Sequence, residues 1–296
     1  MEKLYSPATV RRLMEQTGFR VSKSLGQNFL VDGNLVDKII EGAGIGPNDL
    51  VIEVGPGIGV LTDAAARRAG RVVGIELDRR LLPILAETLA EHTNVAIRNE
   101  DILQADLAAI VAGEKEKLPP GGAVKLIANL PYYITTPILM GILESEYRSL
   151  FESFTVMMQK EVGDRIRALP GTKAYGALTV AVAYYCEVDW IAHVPRDVFM
   201  PKPQVDSIVL RFRLRSEPGV AVADPTLLFQ VVKAGFGQRR KTLGNALATV
   251  PDLSKEAAAR ALALAGIDAG RRAETLTLQE FGALADAVGV LLREGR

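Results

Sequence analysis

A chain of 296 residues has room for one large or two ordinary domains with a substantial core. Its 35 Lys and Arg match 35 Asp and Glu, which excludes a global basic field as the way it finds a nucleic acid. A single cysteine, Cys186, excludes a disulfide framework and a thiolate cluster. The two histidines, His92 and His193, stand far apart without ligand-like company, so no metal is expected. The chain opens Met-Glu-Lys with no apolar leader, and no apolar stretch approaches about 18 residues, so a cytoplasmic protein without a membrane partner is expected.

Residues 1 to 20 read as a helix with Leu4, Val10, Leu13 and Met14 on one face. Lys3, Arg11, Arg12, Arg20 and Lys23 outnumber Glu2 and Glu15 around it, a solvated face on the ordinary reading. The polar segment Ser22 to Asp32, with Phe29 inside it, reads as a loop, and a helix follows from Asn34 to Gly42. Next comes the stretch that organises the chain. The apolar run Val51 to Val54 ends in Gly55-Pro56-Gly57-Ile58-Gly59, and an Ala-rich helical pattern runs from Leu61 to Ala69. This is a strand, a tight turn and a helix start. Glycine there lets the backbone reverse and lets a ligand approach without meeting a Cβ. The spacing G-x-G-x-G is not the dinucleotide G-x-G-x-x-G, and no Lys-Ser/Thr follows as in a P-loop. The next strand, Arg71 to Leu77, carries Glu76 near its C-terminal end, where a carboxylate accepts hydrogen bonds from ribose hydroxyls. Gly55, Gly57 and Glu76 together predict a nucleoside-bearing cofactor.

Strands and helices keep alternating: a helix from Arg79 to His92, a strand Val95 to Arg98 closed by Asn99-Glu100-Asp101, and a strand Lys125 to Ala128 running into Asn129-Leu130-Pro131-Tyr132. Asp101 is either a turn residue or a contact to the cofactor's base. The alternation predicts an α/β, doubly wound, largely parallel sheet whose ligands sit at the strands' C-terminal ends. Glu76, Asp101 and Asn129 all fall at such ends. Phe154 to Gln159 reads as the fifth strand, Glu161 to Leu169 as a helix, and Val180 to Val188 and Val205 to Leu214 as two closing strands. Between the closing strands, Pro201 and Pro203 stiffen a loop that would hold Phe199 in the open. After Ser216 only helices are signalled: Asp224-Pro225, Ser254 and Thr277-x-x-Glu280 are N-terminal caps. The expected boundary near Arg215 separates a domain 1–215 from a smaller all-helical domain 216–296. Eight Lys and Arg face three Asp and Glu between Pro201 and Val250, densest at Arg239-Arg240-Lys241. That cluster is either a solvated face or a phosphate-contacting patch.

Asn-Leu-Pro-Tyr at a strand end has a chemical meaning. A purine exocyclic amine is a poor nucleophile because its lone pair is delocalised into the ring. The Asn129 side-chain oxygen and the Leu130 carbonyl, aimed at its hydrogens, would favour a pyramidal nitrogen. Pro131 would fix the turn and Tyr132 grip the ring. With a methyl sulfonium as donor, catalysis is mostly alignment.

Val54 to Gly59, Asn129 to Tyr132, Phe199-x-Pro201-x-Pro203-x-Val205-x-Ser207, Lys23 to Leu30 and Phe236-x-Gln238 to Leu243 together resemble the rRNA adenine N6-dimethyltransferase family. The resemblance spans about residue 20 to the end and is nearest to the bacterial small-subunit branch. It implies a Rossmann-like class I methyltransferase sheet of seven strands, the last antiparallel. It also implies S-adenosylmethionine as cofactor, S-adenosylhomocysteine as product, and contacts at Asn28, Leu30, Gly55, Glu76, Asp101 and Asn129. The implied substrate is two adjacent adenosines in a hairpin loop near the 3′ end of 16S rRNA, in a small ribosomal subunit or its precursor, met by a monomer. Phe199 and Tyr132 would face each other across an extruded adenine. Arg20, Lys23, Lys202, Arg239, Arg240 and Lys241 are the candidate RNA contacts. The competing expectations are a 23S rRNA methyltransferase of the macrolide-resistance type, a non-catalytic ribosome-assembly factor on the same fold, and a nicotinamide oxidoreductase. G-x-G-x-G and Asn-Leu-Pro-Tyr disfavour the last.

Overall fold

Seven strands form one sheet: β1 Leu50–Val54, β2 Arg71–Ile75, β3 Val95–Arg98, β4 Val124–Asn129, β5 Ser153–Gln159, β6 Cys186–Val194 and β7 Ser207–Leu214. Their spatial order is β3-β2-β1-β4-β5-β7-β6. The structure is a computed structural model and describes residues 3–22, 25–131, 134–238 and 240–294. Lys23, Tyr132 and Arg239 lie outside the described residues. β1 pairs in parallel with β2 (Val54 opposite Ile75) and with β4 (Val54 opposite Ala128), while β7 runs antiparallel to β5. This is the doubly wound α/β sheet that the alternation predicts. All five residues of β1 are buried, as a parallel strand covered on both faces requires.

The strand order reverses between β1 and β4, which opens a crevice beyond their C-terminal ends. At the other end, the Asp49 carboxylate accepts from Gly46 N (2.7 Å), Ala123 N (2.9 Å) and Lys125 Nζ (2.7 Å). Those bonds tie the starts of β1 and β4 together and so hold the two strands in register. The helix Gly33–Ala43 buries Leu35, Val36, Ile39, Ile40 and Ala43, a helical spacing, and Asp32 caps it by accepting from Leu35 N. A two-residue ladder pairs Phe29–Leu30 antiparallel with Phe199–Met200.

By contact density the chain forms two units, Met1–Gly163 with Val188–Leu214, and Asp164–Glu187 with Arg215–Arg296. The second unit therefore takes a segment that the sequence reading assigned to the first domain. The same segment carries a second correction. Val180 to Val188 is not a strand: Ala177–Tyr185 is a helix, and β6 starts only at Cys186. A continuous apolar run does not distinguish a buried strand from a buried helix. Here Val180 and Tyr184, four apart, both join the core of the helical unit. The Thr179 hydroxyl accepts from Gly176 N (3.2 Å) and donates to Arg165 O (2.6 Å), which fixes the helix start. Cys186 is buried.

Within the second unit, caps stand where the sequence signals them. Asp224 accepts from Thr226 N and Leu227 N, Ser254 from Ala257 N, and Thr277 and Glu280 bond reciprocally through side chain and backbone. Phe236 and Leu243, which flank the basic cluster in sequence, point into this unit's core, Phe236 lying 5.8 Å from the Phe281 ring. No helix among the described residues is long and apolar enough to cross a membrane.

Candidate cofactor and base cleft

Gly55, Gly57 and Gly59 follow β1 with φ of 67°, 62° and 90°, left-handed values that a side chain resists. A Cβ on Gly57 would come within 3.2 Å of the Phe29 ring, whereas nothing stands within 4 Å of one on Gly55. The loop is thus packed against Phe29 at one glycine and open to a ligand at the other.

Beside it lies an open cleft at the strands' C-terminal ends. Asn28, Leu30, Gly55, Gly57, Glu76, Asp101, Asn129, Leu130, Pro131 and Phe199 all line it. The sheet's switch point therefore gathers ten of the candidate residues from six separate segments. Arg20, Lys202, Arg240 and Lys241 are exposed and do not line it. Lys202 is paired with Asp197, which holds that carboxyl below its ordinary value.

Glu76, directly after β2, is buried, and its carboxylate is already oriented. Oε1 accepts from Asp78 N at 2.8 Å and Oε2 from Gly57 N at 3.1 Å. Burial pushes its pKa up, and these two N–H donors oppose the shift. Each carboxylate oxygen retains acceptor capacity for a ligand hydroxyl. The Asn129 amide donates from Nδ2 to Asn28 O at 3.1 Å. Commitment of its NH2 to a backbone carbonyl makes the other end of the amide the acceptor. The Pro131 carbonyl accepts from Ile134 N and the Thr135 hydroxyl, which starts the next helix. Asp101 accepts from Leu103 N through Oδ1, a turn role, while also lining the cleft.

Phe199 departs from its expectation. It is 5% exposed and belongs to the main core, so the proline loop does not hold it in the open. The reason is the ladder with Phe29–Leu30, which draws Phe199 in opposite Leu30. Its ring forms part of the cleft wall rather than a projecting plate.

Three cleft residues carry roles that the sequence reading did not give them. Leu77, 51% exposed, puts an apolar side chain at the lip. Gln27 reaches Asp78 across the cleft's edge at 2.8 Å. Glu53, in β1, is fully buried, and its Oε2 has no hydrogen-bond partner among the described residues. Burial, chiefly, pushes its pKa up to about 8; Glu76 raises it further and Thr62 opposes. A buried carboxyl oxygen without a partner, an open cradle at Gly55 and an oriented carboxylate at Glu76 fit a polar, nucleoside-bearing cofactor. Only Glu53's position two residues before Gly55 could have signalled it.

A raised pKa means that folded Glu53 keeps a proton which the unfolded chain releases above its ordinary value of 4.5. Its contribution to stability is therefore lost as pH rises through that interval and levels off above about 8, at up to about 1.4 kcal/mol per pH unit. Glu53→Gln is expected to flatten the fall in melting temperature between pH 6 and pH 8.5. Identical slopes in the two proteins would show that Glu53 is ionised when folded.

Known proteins resemble this chain along most of its length. A family model described as ribosomal RNA adenine dimethylase matches residues 18–287. A protein named ribosomal RNA small subunit methyltransferase A from Alkaliphilus metalliredigens is 49% identical over 97% of this chain and 99% of its own. Its namesake from Geobacillus thermodenitrificans is 50% identical over 97% and 98%. Among solved structures, the 23S rRNA methyltransferase ErmE is 28% identical, with a TM-score of 0.66 over 88% of this chain and 99% of its own. A dimethyladenosine transferase from Plasmodium falciparum shares the fold, with a TM-score of 0.69 at 23% identity over 86% and 95%.

Proposed function

Because the chain belongs to the ribosomal RNA adenine dimethylase family, we propose that it moves methyl groups from S-adenosylmethionine to the N6 amines of two adjacent adenosines in a hairpin loop near the 3′ end of 16S rRNA, working as a monomer on a small ribosomal subunit or its precursor. The observation that carries this reading is the meeting of Gly55, Glu76, Asp101 and Asn129-Leu130 on one cleft. The names of the relatives near 50% identity favour the small-subunit RNA over the 23S substrate named for ErmE.

In this reading Glu76 holds the ribose, Asp101 the cofactor's base, and Asn28, Leu30, Gly55 and Gly57 shape the rest of its berth. The cofactor, when bound, supplies a methyl group on a positively charged sulfur that needs no further activation. The target base has to leave its stack to reach the cleft, which costs a few kcal/mol that aromatic and apolar contacts replace. Tyr132 grips one face of the ring, Phe199 walls the cleft, and the Asn129 oxygen and Leu130 carbonyl accept from the amine hydrogens. Those acceptors favour the pyramidal nitrogen most at the transition state. The same site receives an amine that already carries one methyl.

The direct test is transfer of labelled methyl groups to small-subunit particles and to naked rRNA, with the modified nucleoside mapped. Labelling confined to large-subunit RNA, or none, would overturn the proposal. Glu76→Ala removes two charge-assisted hydrogen bonds to the ribose, each about 1.5–3 kcal/mol. Cofactor affinity measured by calorimetry should fall at least tenfold; unchanged affinity removes Glu76 from the site.

The basic cluster has its own test. Arg240 and Lys241 are exposed on the turn between the helices Pro225–Gly237 and Leu243–Ala246, and Arg239 adjoins them in sequence. Charge reversal at all three positions should weaken rRNA binding and shrink the slope of affinity against salt by roughly one per lost phosphate contact. Cofactor affinity should not move. An unaltered salt slope would make the cluster a solvated face.

A further inference from the structure

The loop Leu25 to Leu30 forms one wall of the cleft, and the Gln27 carboxamide joins it to Asp78, two residues beyond Glu76. Gln27 Oε1 accepts from Ser22 N at 2.8 Å, and Gln27 Nε2 donates to Asp78 Oδ2 at 2.8 Å. Both ends of the amide are therefore used, one to close the loop on itself and one to reach across 51 residues of sequence. Asp78 is 6% exposed and is the hub of the contact. Its backbone N–H donates to Glu76 Oε1 at 2.8 Å. Its carboxylate also accepts from Arg80 N at 3.1 Å and from the Arg80 guanidinium at 2.9 and 2.6 Å. Arg80 in turn lies 5.2 Å over the Phe19 ring, and Phe19 packs at 6.3 Å against Phe29, the ring beside Gly57. From the other side, Asn129 donates to the Asn28 carbonyl, the residue next to Gln27.

We infer that Gln27 and Asp78 are positioning residues for the cofactor, a latch that holds the Asn28-bearing loop and the Glu76 carboxylate in one fixed arrangement before ligand arrives. The inference rests on the proposed function for the identity of that cofactor. Glutamine is required by chemistry and not by size alone. A carboxylate at 27 would still accept from Ser22 N, but it would set two negative oxygens against each other at hydrogen-bond distance. The latch needs one donor and one acceptor, and the two residues can exchange those parts because the exposed Arg80 guanidinium, which donates to the same Asp78 oxygen, is free to turn toward a carboxylate at 27.

The test is that exchange. Gln27→Glu should weaken S-adenosylmethionine binding about tenfold by calorimetry and raise KM for it similarly, with kcat at saturating cofactor within about twofold and the melting temperature nearly unchanged. In the ligand-free protein, hydrogen exchange at the Gln27, Asn28 and Phe29 amides should speed up several-fold. Adding Asp78→Asn restores a donor opposite the acceptor and should return affinity to within about threefold of the parent and re-protect those amides. The inference is overturned if Gln27→Glu changes neither affinity nor exchange, or if the double variant is no better than the worse single one. If the parent protein binds no S-adenosylmethionine, the proposed function falls, and exchange in the ligand-free variants still decides whether the latch exists.

Discussion

Asn129→Ala is expected to slow methyl transfer by roughly 10²–10³-fold at saturating cofactor and RNA, the usual cost of losing one preorganised polar group aimed at a transition state. The geometry explains why the loss falls on the chemical step. Asn129 ends β4 at the switch point of the sheet, and its NH2 is held by the Asn28 carbonyl at 3.1 Å. The amide is therefore fixed in rotation, and in the proposed reaction its oxygen would meet a substrate amine without reorganising. Alanine removes both the acceptor and the tie to Asn28, so cofactor affinity should drop modestly as well, by a factor of a few. RNA affinity should stay near that of the parent. Single-turnover transfer and RNA binding, measured separately, check this. Should RNA affinity collapse while bound RNA is still methylated at the parent rate, Asn129 is a docking residue and not part of the chemistry.

Phe199→Ala should cost about 3–5 kcal/mol of stability, as for other large buried aromatics cut back to a methyl. This is the opposite of what an exposed ring would give. With Phe199 5% exposed and its backbone paired to Leu30, truncation leaves a cavity where the core meets the cleft. The melting temperature should fall on the order of 10 °C. Phe199→Leu keeps most of the volume and should recover most of the stability, so it isolates the ring's part in holding a base. If Phe199→Leu transfers methyl groups normally, the ring serves packing; if it is stable yet slow, the flat face matters. A Phe199→Ala protein that melts like the parent but transfers nothing would return the residue to the role of an open plate.

Both outcomes turn on where reading the sequence succeeds and where it stops. The parallel sheet was legible because a strand covered on both faces must be apolar throughout, and β1 to β3 alternate with helix patterns at ordinary spacing; the helices Leu107–Lys115 and Thr135–Leu143 that continue the alternation to β5 came only with the structure. The glycine loop, Glu76, Asp101 and Asn129 were legible because each ends a strand, and strand ends of such a sheet share one side. Helix starts in the C-terminal region were legible because a cap is a local bond, two to three residues long, as at Asp224 and Ser254. Misreading Val180 to Val188 as a strand has an equally physical cause. An apolar run shows only that a segment is buried, and its conformation follows from which core receives it, here one built with Leu227, Leu228 and Phe281.

What the sequence by itself determined, then, is the parallel strands, the family and the strand ends that line the cleft, all of them legible from neighbours along the chain. The tertiary structure alone decided the burial of Phe199 through its ladder with Phe29–Leu30, the burial of Glu53 with no partner for its Oε2 among the described residues, and the bond from Gln27 to Asp78. The ladder and the bond join groups at least 51 residues apart, and local pattern holds no record of such a partner.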